Sequence, residues 1–261
     1  MTVGRIAIAA ALQQELGALL AAMPDERPVR LAGREFWVGH LDGQDVVVAL
    51  SRVGKVAAAM TATLLVHEFG ATHAIFTGTA GGLHASARVG DVVVASALLQ
   101  HDMDASPLFP RHEVPLYGTD RFRCDAALSD ALAAASRAVL DEATRGGDDR
   151  SPGALSADDL RSFAITAPRV PTGLVVSGDA FVSSTEACAA LRLRLPDALA
   201  VEMEGAALAQ VCHDLDVPYA VVRTISDRAD NSATVDFTRF VESVASRYTV
   251  AIVRRFLRGW Q

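Results

Sequence analysis

Cysteine is scarce in this chain. The three residues, Cys124, Cys188 and Cys212, are odd in number, widely spaced and without a CxxC pairing, which argues against a disulfide framework. They read as reduced, mostly buried thiols of a cytoplasmic protein. Long apolar runs are missing too. The run entered at Ile6 is broken by Gln13, Gln14 and Glu15, too early for a secretory signal or a membrane span. No later stretch reaches the roughly 18 uninterrupted apolar residues that a membrane helix needs. Basic runs are absent as well: 24 Lys and Arg stand against 31 Asp and Glu, a formal charge of -7. No broad cationic field faces a polyanion, so nucleic acid is not an expected partner. There is no internal repeat and no low-complexity tract beyond a richness in alanine.

What is present suffices for a core. With 51% hydrophobic and 21% charged residues over 261 positions, the chain can offset its folding entropy within one large domain. Short β-rich runs recur at residues 5–10, 36–41, 46–50, 73–77, 92–95, 174–177, 198–202 and 219–224, several of them nearly continuous in apolar side chains, as strands buried on both faces are. Segments with helical spacing lie between them, at 56–69, 126–140, 204–215 and 237–257. The alternation predicts a single-domain α/β fold spanning 1–261, with a central, mixed but mostly parallel twisted sheet flanked by helices. Residues 36–50, with Asp42-Gly43 at the turn, read as a hairpin grafted on that sheet. Gly, Pro and charge density over 144–171, including a short helix near 158–163, predicts a surface excursion.

Four segments can carry chemistry. In the first, the strand through Ile8, Ala9 and Ala10 runs into a helix whose first turns hold Glu15, where an open α/β sheet places its ligands. A solvated acid at a helix N-terminus is the competing reading. The second, Thr77-Gly78-Thr79-Ala80-Gly81-Gly82-Leu83, lets backbone amides approach an anion or a sugar, but it is neither a Walker loop nor a GxGxxG fingerprint, and a tight turn explains it equally well. In the third, Val201-Glu202-Met203-Glu204, a carboxylate at a strand end can accept two hydrogen bonds from a ribose diol, or can be half of a helix N-terminal acid pair. The fourth, Val221-Val222-Arg223-Thr224-Ile225-Ser226-Asp227-Arg228-Ala229-Asp230, puts polar groups at a buried strand end, where each must be paired. An ion pair of Arg223 with Asp227 is its plain explanation, and a proton-donating Asp227 held by Ser226 is the functional one. Polar groups ending four strands of one sheet are expected to converge, which favours an enzyme over a scaffold.

These pieces, together with Ser51-Arg52-Val53-Gly54-Lys55, Val89-Gly90-Asp91 and Val176-Ser177-Gly178-Asp179-Ala180-Phe181, resemble in order the nucleoside phosphorylase/hydrolase superfamily and, within it, the methylthioadenosine/S-adenosylhomocysteine nucleosidases. The resemblance covers almost the whole chain apart from 144–171. It implies hydrolysis of the N-glycosidic bond of 5'-methylthioadenosine and S-adenosylhomocysteine, releasing adenine. In that reading Asp227, positioned by Ser226, protonates N7 of adenine, with a pKa raised by burial. Glu15 activates water, helped by Arg223 and the Thr79-Ala80-Gly81 segment. Glu204 binds the ribose hydroxyls with Met203 packed on the sugar, Phe181 stacks on the base, and the Val182 backbone reads its edge. The 5'-thio group lies near Leu12, Val53 and Phe237, in a pocket completed by a second subunit of a cytoplasmic homodimer acting in methionine salvage. No metal or cofactor is implied; His101 with Asp102 and Asp104 reads as a surface or pocket-rim cluster.

The chain departs from the family at its first site, at Thr79 and in the 144–171 excursion, which shorter members lack. Ala10-Ala11-Leu12-Gln13-Gln14-Glu15 stands where the family has Gly-Ala-Met and three acids, so only the last acid remains, and Thr79 replaces a serine. Phe76 stands where related phosphorylases carry a phosphate-gripping arginine, which favours water as nucleophile, although Arg52 offers another phosphate contact. The alternatives are a phosphate-dependent phosphorylase, a futalosine-type nucleoside hydrolase, and a binding module that kept the fold.

Overall fold

The computed structural model describes residues 4–145, 157–229 and 237–260. Asp230 of the fourth segment and the Gly-rich stretch 146–153 lie outside the described residues. The first half runs β1 (Ile6–Ala10), α1 (Gln13–Leu20), β2 (Arg27–Leu31), β3 (Arg34–Leu41), β4 (Gln44–Leu50), α2 (Lys55–His67), β5 (His73–Gly82), β6 (Val92–Gln100) and β7 (Phe122–Arg123). The second continues with α3 (Ala126–Thr144), α4 (Ala157–Ser162), β8 (Thr172–Ser177), α5 (Thr185–Arg194), β9 (Ala198–Glu202), α6 (Gly205–Asp214) and β10 (Tyr219–Asp227). The chain then ends in α7 (Phe237–Phe240), a π-helical turn at Val241–Ala245 and α8 (Ser246–Gly259).

One mixed sheet organises the fold, in the order β10-β6-β8-β9-β5-β1-β4-β3-β2. An additional pairing of β10 with β5 closes five of these strands on themselves. The expected α/β sheet flanked by helices is therefore present, with a closed portion that strand alternation alone does not reveal. β1 shows why both faces must be covered. Ile6, Ile8 and Ala10 enter the core under α1, α3 and α8, while Ala7 and Ala9 enter the opposite core under α2 and α6. Burying each large aliphatic side chain contributes roughly 1.5–3 kcal/mol.

The hairpin is a two-residue turn. Leu41 pairs with Gln44, and Asp42 and Gly43 between them have φ of 48° and 85°, the left-handed geometry such a turn requires. It is part of the sheet, because β4 pairs in parallel with β1. The Asp42 carboxylate accepts hydrogen bonds from Arg254 at 2.8 and 2.9 Å and from Arg258 at 3.0 Å, pinning the turn to α8. β2, an edge strand of mostly exposed residues, has no apolar pattern to announce it.

The Gly-rich segment 77–83 is mostly strand, not a tight turn. β5 continues to Gly82, and its edge partner changes from β1, which ends opposite Thr77, to β9, which begins opposite Gly81. Glycine is needed there for close packing: a Cβ at Gly81 would lie 2.9 Å from the Ala229 Cβ and 3.1 Å from Asp227 Oδ1. Between the two pairings the sheet splits, the place where α/β folds bind ligands.

The described part of the 144–171 excursion is anchored. Leu160 and Ile165 are buried in the core, and Phe163 packs edge-on against Phe240 with ring centroids 5.3 Å apart. Ile165 fills the space over Gly90. Replacing Ile165 by Ala is expected to destabilise the protein by about 2–5 kcal/mol, as for a core cavity. Chemical denaturation checks this; a loss below about 0.5 kcal/mol, typical of surface sites, would contradict the packing.

Candidate active site

The split in the sheet opens a cleft of about 220 Å³. Leu12, Val53, Thr79, Ala80, Gly81, Phe181, Val182, Met203, Glu204, Ser226, Asp227 and Phe237 all line it, so twelve of the fourteen residues singled out in the sequence meet in one place. Leu12, Val53 and Phe237, which come from three distant parts of the chain, share that lining. Ala11, Ala180, Val201 and Glu202 join them. Phe181 is 54% exposed at the mouth, leaving a ring face available to a ligand.

Glu15 and Arg223 lie behind the lining. Both are fully buried, and they approach each other through the gap at Gly78: a Cβ there would sit 3.1 Å from Arg223 Nη1 and 3.6 Å from Glu15 Oε2. Arg223 does not pair with Asp227. Its Nη2 donates to Glu202 Oε2 at 2.8 Å, and its guanidinium lies 4.1 Å over the Phe76 ring. Arg223, expected to help at the ligand, thus stands one layer back with its charge balanced by Glu202.

Glu202 is the residue that the sequence reasoning passed over as a site member. Its carboxylate also accepts from the backbone amides of Glu204 and Gly205, at 3.1 Å and 2.8 Å, and from the Ser177 hydroxyl. It therefore caps α6 and holds Arg223 at once. The available signal was the buried arginine itself, which requires a carboxylate partner somewhere in the fold.

Glu204 occupies the N-cap position of α6, and its Oε1 accepts from the Gly54 amide at 2.9 Å. Burial, and then the negative charge of Glu202, raise its pKa above the ordinary carboxylate range. Asp227 ends β10. Its Oδ2 accepts from the Ser226 hydroxyl and its Oδ1 from the Ala229 amide, both at 2.7 Å.

Glu15 is held by its helix. The Leu12 amide donates to its Oε2 at 3.3 Å, while Oε1 has no partner among the described residues. Burial pushes its pKa from 4.5 to about 7, outweighing the attraction of Arg223 and the bonds from the Leu12 and Ala11 amides.

The rim is built by the chain's single lysine. Lys55 Nζ donates to Asp102 Oδ1 at 2.6 Å and to Gln100 Oε1 at 3.0 Å, and its amide donates to Asp179 Oδ1 at 2.8 Å. The Asp179 amide returns a bond to Asp102 Oδ2 at 2.9 Å, so α2 is tied to the loop carrying Phe181. Of the His101, Asp102 and Asp104 cluster, Asp102 serves this clamp, Asp104 accepts from the Ser106 amide at 3.1 Å, and His101 is buried.

Comparison with known proteins agrees with this geometry. The sequence model of the phosphorylase superfamily matches residues 5–258. A 5'-methylthioadenosine/S-adenosylhomocysteine nucleosidase of Shewanella frigidimarina is 35% identical over 237 residues, 91% of this chain and 92% of the relative. The Neisseria meningitidis nucleosidase of the same name, solved in complex with methylthio-immucillin-A, superposes with a TM-score of 0.83 at 32% identity, covering 98% of this chain and 99% of that one. Helicobacter pylori futalosine hydrolase superposes with a TM-score of 0.80 at 29% identity, covering 98% of each chain. The chain belongs to the phosphorylase superfamily and, within it, to the family of 5'-methylthioadenosine/S-adenosylhomocysteine nucleosidases.

The raised Glu15 pKa has a consequence for stability. The unfolded chain loses this proton near 4.5 and the folded one near 7, so folding stability falls as pH rises across that window and stays lower above it. Glu15→Gln keeps the shape and removes the ionisation, so at pH 8 it is expected to be more stable than the parent by up to about 3 kcal/mol. Below pH 4.5 the gap should close. Melting curves at both pH values check this; a gap independent of pH would contradict it.

Proposed function

We propose that this protein hydrolyses the N-glycosidic bond of 5'-methylthioadenosine and S-adenosylhomocysteine, releasing adenine and the 5-thio-substituted ribose. The observation that carries the reading is one cleft with Asp227 and Glu204 in its lining, Glu15 behind it, and Leu12, Val53 and Phe237 as apolar lining.

Breaking the C1'–N9 bond sends its electron pair into the adenine ring and leaves oxocarbenium charge on the ribose. Asp227, oriented by Ser226, gives its proton to N7 so that the base departs neutral. Glu204 accepts the ribose hydroxyls, and its partial negative charge stabilises the cation. Water adds its oxygen to C1' and passes a proton to Glu15, which must be ionised to receive it. Thr79, Ala80 and Gly81 frame that water, and Arg223, one layer back, favours the ionised form of Glu15. Phe181 stacks on adenine, the Val182 backbone reads its edge, and Met203 packs on the sugar.

The lining favours water over phosphate. Among the described residues that form the cleft there is no Lys or Arg, Phe76 is buried under Arg223, and Arg52 points elsewhere, its Nη2 donating to the Gly33 carbonyl. We further infer a homodimer, in which a second copy covers the exposed apolar side chains Val53, Val56 and Met60 and completes the 5' end of the cleft. We place the enzyme in the cytoplasm, in keeping with only three, widely spaced cysteines, and in methionine salvage, which recovers adenine and the thio-sugar.

Purified protein is expected to release free adenine from methylthioadenosine without added phosphate. Formation of a sugar phosphate, or a strict phosphate requirement, would make it a phosphorylase. In the same assay Asp227→Asn should lower turnover about 100- to 10,000-fold, the range for losing a general acid. A near-parental rate in a folded Asp227→Asn protein would remove Asp227 from that role.

A further inference from the structure

A second cleft, of about 450 Å³, opens between the β2–β3 hairpin and the end of β4. Arg30, Arg34 and Arg52 line it over an apolar floor that includes Trp37 and Leu50. Three guanidinium groups at one cleft are unexpected in a chain of charge -7. The carboxylate in the lining, Glu35, is engaged by Arg30, whose Nε donates to it at 2.7 Å. Arg52 donates to the Gly33 carbonyl, a neutral acceptor. Arg34 has less: its Nε and Nη1 are closed off from solvent and find no acceptor among the described residues. Burial, and then the charge of Arg52, lower its pKa.

Two like charges at one cleft, with Arg34 partly desolvated, are unfavourable unless an anion lies between them. We propose that this cleft is an anion-binding site that takes a carboxylate or phosphate group between Arg34 and Arg52. The planar guanidinium fork matches a two-oxygen face, and Trp37 with Leu50 offers apolar surface to the carbon that carries the anion. The ligand class is therefore a small organic acid or phosphate ester rather than a polyanion.

The two clefts have no lining residue in common, yet they adjoin along the chain. Leu12 and Val53 face the nucleoside cleft; their neighbours Gln13 and Arg52 face this one. β1 and β4 end in register at Ala10 and Leu50, so both clefts open at the same end of the sheet. One anionic group can then arrive from either of two sources. It is the end of a 5'-substituent extending out of the nucleoside cleft, which rests on the function proposed above, or it is a free anion, which does not.

Two arms separate these sources, each run on the full chain and on its Arg34→Gln and Arg52→Gln variants. Calorimetric titration with inorganic phosphate reads the free anion. The ratio of KM for S-adenosylhomocysteine, whose 5'-substituent ends in a zwitterionic amino acid with a free carboxylate, to KM for methylthioadenosine, which has no carboxylate, reads the tethered one. A phosphate Kd that weakens at least tenfold in both variants supports the site with a free ligand, even in a protein that hydrolyses no nucleoside. A KM ratio that rises at least tenfold in both variants, with kcat on methylthioadenosine unchanged for Arg34→Gln, supports the tethered ligand. Because Arg34→Gln removes an unpaired, partly buried charge, its melting temperature should equal or exceed the parent's, and Arg52→Gln provides a second folded variant. If neither the phosphate Kd nor the KM ratio responds to either substitution, the proposal is overturned.

Discussion

The ion pair between Arg223 and Glu202 sits where the closed part of the sheet meets the cleft, with both side chains almost out of solvent. Taking two such charges from water costs several kcal/mol per ion, and their attraction offsets this only when the remaining donors and acceptors are also met. Most are. Glu202 takes the amides that start α6 and the Ser177 hydroxyl from β8, while Arg223 rests on Phe76 from β5. Four strands of the ring are thereby held in one register by a pair almost out of solvent.

The chemistry of the neighbouring acids follows from that pairing. With Arg223 facing Glu202, its charge reaches Glu15 only as a partial compensation for burial, and Glu15 stays near neutrality in its protonation equilibrium. Glu204 feels the negative charge of Glu202 on top of its own burial and moves in the same direction. Two carboxylates able to exchange protons near physiological pH therefore stand at one cleft, with Asp227 oriented by Ser226 as a third acid. A positive charge lining the cleft would instead draw in an anion. The cationic surface is displaced to the adjoining cleft at Arg34 and Arg52.

Much of this fold is legible from residue pattern, and the exceptions have physical reasons. β1 and the first four residues of β10, Tyr219 to Val222, announce themselves because a strand buried on both faces is apolar wherever it carries no site residue. β2 does not, because it is an exposed edge. The glycines of 77–83 suggest a turn, since glycine weakens strands, but here they let β5 pass close to Ala229, a contact made by the fold and not by the neighbourhood in sequence. Arg223 and Asp227 are four residues apart and carry opposite charges, which suggests a pair. The true partner, Glu202, is 21 residues away and is brought near because β9 is itself a strand of the ring. The meeting of Leu12, Val53 and Phe237 was legible only through family resemblance, because no local spacing relates them. Ile165 was hidden by the Gly, Pro and charge around it.

Burial, beside an Arg223 whose guanidinium is already paired with Glu202, leaves Glu15 able to hold a proton near neutral pH. A carbon-13 NMR titration of the glutamate side-chain carboxyls tests this in the ligand-free protein, compared with Glu15→Gln. The expected result is a resonance that titrates at about 7 and is missing from the variant. If every glutamate of the parent protein titrated below about 5, as unperturbed carboxylates do, Glu15 would not hold a proton near neutral pH.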